Sequence, residues 1–130
     1  MKSTFILTAM LAFTTVFSSC SKDDKTTTRG ECFADKITFT ETEVTPGGTD
    51  NLIITMDAKN TSSKEYSIEN GDKVVNLRII VTTTDGNTYE TNTVFAVTSL
   101  SAGATVSTAA VASYGAGKTY ASYKLTASCK

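Results

Sequence analysis

An all-β sandwich is the fold class this sequence predicts, on three observations. Apolar residues recur at every second position through most of residues 31–130, the period of a strand with one buried face. The 130-residue chain holds 25 Thr and a single Pro. β-Branched side chains pack well on a pleated surface, whereas Pro cannot join a ladder. Clusters of Gly, Asn, Asp and Ser interrupt the alternating runs at short intervals. No stretch carries the 3.6-residue apolar stripe of an amphipathic helix.

The elements follow in order. A first strand is expected over about 36–44, with Ile37, Phe39 and, ahead of them, Phe33 turned inward. Thr38, Thr40 and Thr42 alternate with them, which suits an edge strand. Glu41 and Glu43 are assigned to one solvated face. A buried Phe39 predicts a loss of about 3–5 kcal/mol on truncation to Ala. The turn from Pro46 to Asn51 leads into a second strand over about 51–59, where Leu52, Ile54, Met56 and Ala58 share a face.

Asn60-Thr61-Ser62-Ser63 ends that strand, and residues 64–68 form either a short edge strand or a connector. Asn70-Gly71-Asp72 precedes a third long strand over about 73–84, carrying Val75, Leu77, Ile79 and Val81. Asp85-Gly86-Asn87 is a tight hairpin signal, because these residues tolerate positive φ. The next run turns Tyr89, Thr91, Thr93, Phe95 and Val97 one way. Ser101-Ala102-Gly103 and Gly115-Ala116-Gly117 bound a strand near 104–112. The last strand, near 118–129, turns Ala121, Tyr123, Leu125, Ala127 and Cys129 inward. Six strands result if 64–68 is a connector, seven if it is a strand. About 100 residues with six or seven antiparallel strands at this spacing reads as an Ig-like β-sandwich. A single sheet would leave one apolar face in water.

The first thirty residues point to export. Lys2 is followed by a largely apolar run over 5–17, too short for the roughly 20 residues of a membrane-spanning helix. Phe17-Ser18-Ser19-Cys20 resembles the lipobox of bacterial lipoproteins, with Phe where Leu is usual. The resemblance implies a signal peptide over 1–19, a mature chain beginning at Cys20, and acyl chains on that thiol that hold the protein to a membrane. Cleavage by the ordinary secretory peptidase is the alternative. Ser21-Lys22-Asp23-Asp24-Lys25 is similar to the surface-export tag of Bacteroidetes lipoproteins. It implies an outer-membrane lipoprotein displayed on the cell surface, against a periplasm-facing alternative. Residues 20–31 then serve as lipidated Cys and flexible tether, and 32–130 as the folded domain.

With Cys20 acylated, Cys32 and Cys129 remain, and an oxidising compartment permits a bridge between them. Closing so long a loop contributes on the order of 4–5 kcal/mol by loop-closure entropy. The condition is topological. An even number of full-length strands in an up-and-down chain returns both termini to one end, and an odd number separates them.

Within the folded part, Leu52-x-Ile54-x-Met56-x-Ala58-x-Asn60-Thr-Ser precedes Leu77-x-Ile79-x-Val81-x-x-x-Asp85-Gly86, and Val97-x-x-Leu100-x-x-Gly103 follows. This order resembles the extracellular Ig-like domains of the FxLYD group of bacterial proteins. Thr82-Thr83-Thr84-Asp85 stands where that group has Leu-Tyr-Asp ahead of the hairpin, and an extra segment follows Asn60. The resemblance implies a fold and a binding or spacing role.

Several chemistries are excluded or lack a motif. The chain has no His, which removes Ser/His and Cys/His catalysis and every His-ligated metal site. Ser62-Ser63-Lys64 lies in a turn rather than a nucleophile motif. Asp50 with Asp57 and Glu69 with Asp72 offer oxygen ligands, but without a calcium-loop spacing. No cofactor is expected. Formal net charge of −1 gives no footprint for nucleic acid.

Among the tyrosines, Tyr89 and Tyr123 read as core, with hydroxyls reaching the rim. Tyr114 and Tyr120 flank a Gly-rich turn and form a candidate binding tip for a sugar or protein. Asn60-Thr61-Ser62 fits a glycosylation sequon that a bacterial lipoprotein makes incidental. The expected function is therefore a lipid-anchored, non-catalytic binding, adhesion or envelope-assembly module with a protein or glycan partner. The alternative is a small inhibitor of exported hydrolases that presents the loop from Pro46 to Asn51.

Overall fold

Where apolar residues alternate, the chain is extended. In the computed structural model, which describes residues 30–130, eight strands form. They are β1 (Ile37–Pro46), β2 (Asn51–Asn60), β3 (Tyr66–Ser67), β4 (Val75–Thr83), β5 (Thr88–Val94), β6 (Ser99–Leu100), β7 (Thr105–Ser113) and β8 (Tyr120–Cys129). Six are long and two are dipeptides. The expected count of six or seven is corrected to eight because residues 64–68 contribute only Tyr66–Ser67, which pairs with Ser99–Leu100.

The long strands make two antiparallel three-stranded sheets, ordered β1-β2-β7 and β5-β4-β8. Hairpins join β1 to β2 and β4 to β5, while β7 returns to pair with β2 and β8 with β4. The two sheets make an antiparallel β-sandwich, with each hairpin kept within one sheet and the later strands β7 and β8 added to the first and second sheet in turn.

The core lies between the two central strands. Leu52, Ile54, Met56 and Ala58 of β2 face Val75, Leu77, Ile79 and Val81 of β4, none more than 2 % exposed. The outer strands contribute half-buried residues, among them Phe39, Val106, Tyr123 and Leu125. At one end aromatic rings fill the space between the sheets. Phe33 packs on Tyr66 at 5.4 Å, Tyr66 lies 6.1 Å from Phe95, and Phe39 meets Phe95 edge-on at 5.3 Å. Burial pushes the Tyr66 phenol pKa up.

Two bulges change which side chains face inward. On β1, Glu41 pairs with Met56 and Glu43 with Thr55, so Thr42 is the extra residue. Glu41 therefore shares the inward phase of Ile37 and Phe39, and after the bulge Val44 takes it over. The two glutamates lie on opposite faces, correcting their assignment to one. On β8, Thr82 pairs with Ser122 and Thr83 with Tyr120, leaving Ala121 as the extra, exposed residue. Tyr120 takes the inward position expected for Ala121.

Six long strands bring the chain back to the end where it began. There Cys32 and Cys129 are joined, with Cα atoms 5.8 Å apart and a sequence separation of 97. Beside the bridge, Glu31 receives hydrogen bonds from Lys36 and Lys64, and these hold its carboxyl pKa below the usual range. Cys20, the apolar run and the tether through residue 29 lie outside the described residues.

Candidate functional site

Three connections meet at the end of the sandwich opposite the disulfide: residues 47–50, 84–87 and 114–119. The first two close hairpins, the third crosses from β7 of one sheet to β8 of the other, and each is tied to another. The Tyr114 amide donates to the Asp50 carbonyl at 2.8 Å, and the Thr84 amide to the Thr119 carbonyl at 2.9 Å. Lys118 Nζ lies 2.6 Å from Asp85 Oδ2. Asp85 also accepts from the Thr83 hydroxyl at 2.6 Å and from Asn87 Nδ2 at 2.9 Å. The Lys118 ammonium first, and the Thr83 hydroxyl second, hold the Asp85 carboxyl far below the usual carboxylate range. Gly86 adopts φ of +82°, which the turn requires and other residues resist. These cross-links make the far end a braced surface rather than three independent loops.

Beneath it sits a group of tyrosines. Tyr114 and Tyr120 do come together, with ring centroids 6.5 Å apart. Tyr114, however, is only 4 % exposed. Its ring closes the core from inside, and of the candidate pair only half-buried Tyr120 reaches the surface. The Tyr89 ring lies against Gly115, so close that a Cβ there would meet it at 3.0 Å. Tyr123 donates to Glu41 Oε2 at 2.6 Å, a hydrogen bond between β8 of one sheet and β1 of the other. Burial first, and then the Glu41 carboxylate, push the Tyr123 phenol well above its usual pKa. Burial raises Tyr120 likewise.

The remaining candidates are dispersed. Among the described residues no cluster of three or more acidic or thiol side chains could hold a metal. Asp72 accepts the Ser67 amide at 2.8 Å and so closes its own loop. Asn60, noted for its sequon, is fully buried. Its side-chain amide donates to the Lys64 and Leu100 carbonyls at 2.7 and 2.9 Å, while its oxygen accepts from the Ser62 amide and hydroxyl at 3.0 and 2.7 Å. Glu41 as the partner of Tyr123 was missed, although its position in phase with Ile37 and Phe39 was a signal. The Lys118–Asp85 pair was missed as well, since nothing local relates residues 33 positions apart.

The fold and this end define an antiparallel β-sandwich with a disulfide at one pole and braced loops at the other. Comparison with family models, with curated proteins and with solved structures finds no match to the chain.

Proposed function

We propose that the protein is a lipoprotein of the outer membrane, held by lipid on Cys20, whose sandwich is a non-catalytic binding or adhesion module. The observation that carries this reading is the separation of the two poles. Cys32 and Cys129 lie at one end, so a tether entering at Cys32 leaves the loops around Asp50, Asp85 and Lys118 at the other. A domain held at its base presents its far end to whatever approaches the surface. The braced loops suit recognition, because a preorganised surface loses little conformational entropy on binding. A protein or glycan is the partner class this reading takes.

The test has two parts. Mass spectrometry of the membrane-bound protein from its native host is expected to find an acylated N-terminal Cys20. A retained leader, or a bare thiol on that residue in the membrane fraction, overturns the anchoring. Protease treatment of intact cells is expected to remove the domain. Survival of the domain in unbroken cells, with loss after lysis, overturns surface display in favour of a periplasm-facing anchor.

A further inference from the structure

The four edge strands of the two sheets are not equally protected against pairing. β1 carries a bulge at Thr42, the inward-phase Glu41 and a terminal Pro46. β8 carries a bulge at Ala121 and an exposed Lys124. β5 carries Glu90, paired with Arg78 at 2.6 Å. Bulges, charges and Pro are the devices that stop an edge from accepting another strand. β7 has none of them. Its nine residues are Thr, Val, Ser and Ala only, and its register with β2 is unbroken.

The phase of the β2–β7 ladder shows which of its groups are free. The Asn60 amide donates to the Ala104 carbonyl, and the Gly103 amide to the Asn60 carbonyl. Bonded positions recur at every second residue of an antiparallel ladder. Val106, Thr108, Ala110 and Ala112 therefore exchange bonds with β2. Thr105, Ser107, Ala109 and Val111 turn their amides and carbonyls to the open edge, and all four are exposed. The Ser113 amide is already taken, by the Thr91 hydroxyl at 3.2 Å.

We propose that β7 is a strand-addition edge and that its occupant is a second copy of this chain, paired antiparallel. Such a contact is isologous and closes with two-fold symmetry. One register sets Thr105 opposite Val111 of the second copy and Ser107 opposite its Ala109. That register engages all four free residues and stops short of the occupied Ser113. It also covers Val111, 52 % exposed, which neighbours Ile53 on β2. Self-pairing sets no like charges opposite one another, whereas a charged foreign strand finds no complementary charge on β7.

The geometry has a consequence that rests on the anchoring reading above. β7 runs from the disulfide pole to the loop pole, so an antiparallel partner stands inverted. Copies tethered at the disulfide pole then pair across two facing surfaces rather than side by side on one.

Residues 30–130 enclose their own core and both bridged cysteines, so this domain is suited to sedimentation equilibrium. A concentration-dependent dimer is expected. Ser107→Lys with Ala109→Lys sets Lys against Lys twice and is expected to weaken it roughly tenfold. Ser107→Glu with Ala109→Glu is expected to do the same, and an equimolar mixture of the two variants to restore pairing. A monomer at every loading, or a dimer indifferent to both variants, overturns the proposal. Vesicles carrying the domain by its N-terminal end are expected to cluster, and to stay dispersed with the Lys variant. A solution dimer with dispersed vesicles overturns the facing-surface geometry. Absence of lipid on Cys20 in the native host overturns the anchoring alone and leaves the solution dimer standing.

Discussion

Asn60 shows how a single buried polar residue organises chain that follows no period. Its side chain makes four hydrogen bonds, two donated and two accepted, at the point where β2 ends and the segment to β3 begins. Truncation to Ala strands the Leu100 carbonyl in the interior and frees the Ser62 turn. Asn60→Ala is therefore expected to destabilise by about 2–3 kcal/mol, read as a lower denaturant midpoint with an unchanged slope. The sequence drew attention to this residue for its sequon, a local pattern. Its real partners include one 40 positions away, and no local pattern reports them. Tyr123 supports a second prediction. Its folded pKa is raised, by burial first and then by the hydrogen bond to Glu41. Keeping the phenol protonated therefore contributes stability that is fully present below the unfolded value of about 10. That contribution is lost as pH rises through the folded value. In a phenolate absorbance titration, Glu41→Gln is expected to lower one tyrosine transition part of the way, leaving the rise that burial causes. A titration curve identical to that of the wild type would show that Glu41 does not control Tyr123.

At the level of elements, inward faces were readable and registers were not. The alternation Leu52, Ile54, Met56, Ala58 became the buried face of β2 because both flanking strands and the opposing sheet enclose it. The bulges at Thr42 and Ala121 were invisible, since an inserted residue is defined by the partner strand as much as by its own. They decide what the edges do: the first brings Val44 inward after Glu41, and the second brings Tyr120 inward instead of Ala121. The expected loss for Phe39 also changes with its setting. On the outer strand β1 its ring is half-buried and rests edge-on against Phe95. Phe39→Ala is therefore expected to cost about 2 kcal/mol, below the range for fully buried rings. A loss near 4 kcal/mol in equilibrium denaturation would mean that the β1–β8 opening is more tightly closed than this geometry implies. The Arg78–Glu90 pair on β4 and β5 adds acid sensitivity. The guanidinium holds the Glu90 carboxyl down at about 2. Its contribution is present above the unfolded carboxylate range and lost as pH falls toward that value.

Across the whole molecule, the disulfide is what the sequence made most legible and the loop pole what it made least. The bridge was foreseeable because it needs only an oxidising compartment, two spare cysteines and an even number of full-length strands. The pole opposite required knowing that residues 47–50, 84–87 and 114–119 converge. That convergence depends on strand order, which alternation does not encode. The same reasoning sets the size of the last effect. Cys32 and Cys129 enclose 97 residues of sequence separation, nearly the entire domain, so the bridge acts mainly by restricting the unfolded chain. Loop-closure entropy predicts about 4–5 kcal/mol for a loop of that length. For a domain of this size that corresponds to a fall in Tm on the order of 20 °C on replacing both cysteines with Ala. The two edges nearest the bridge sharpen the test. Neither β1 nor β8 pairs with the other, and each relies on its central neighbour. If the bridge acts on the unfolded chain, the double variant keeps native strand content below its lower Tm and loses stability as one cooperative transition. A separate early transition, with β1 or β8 leaving before the core, would show instead that the bridge holds native edges in place.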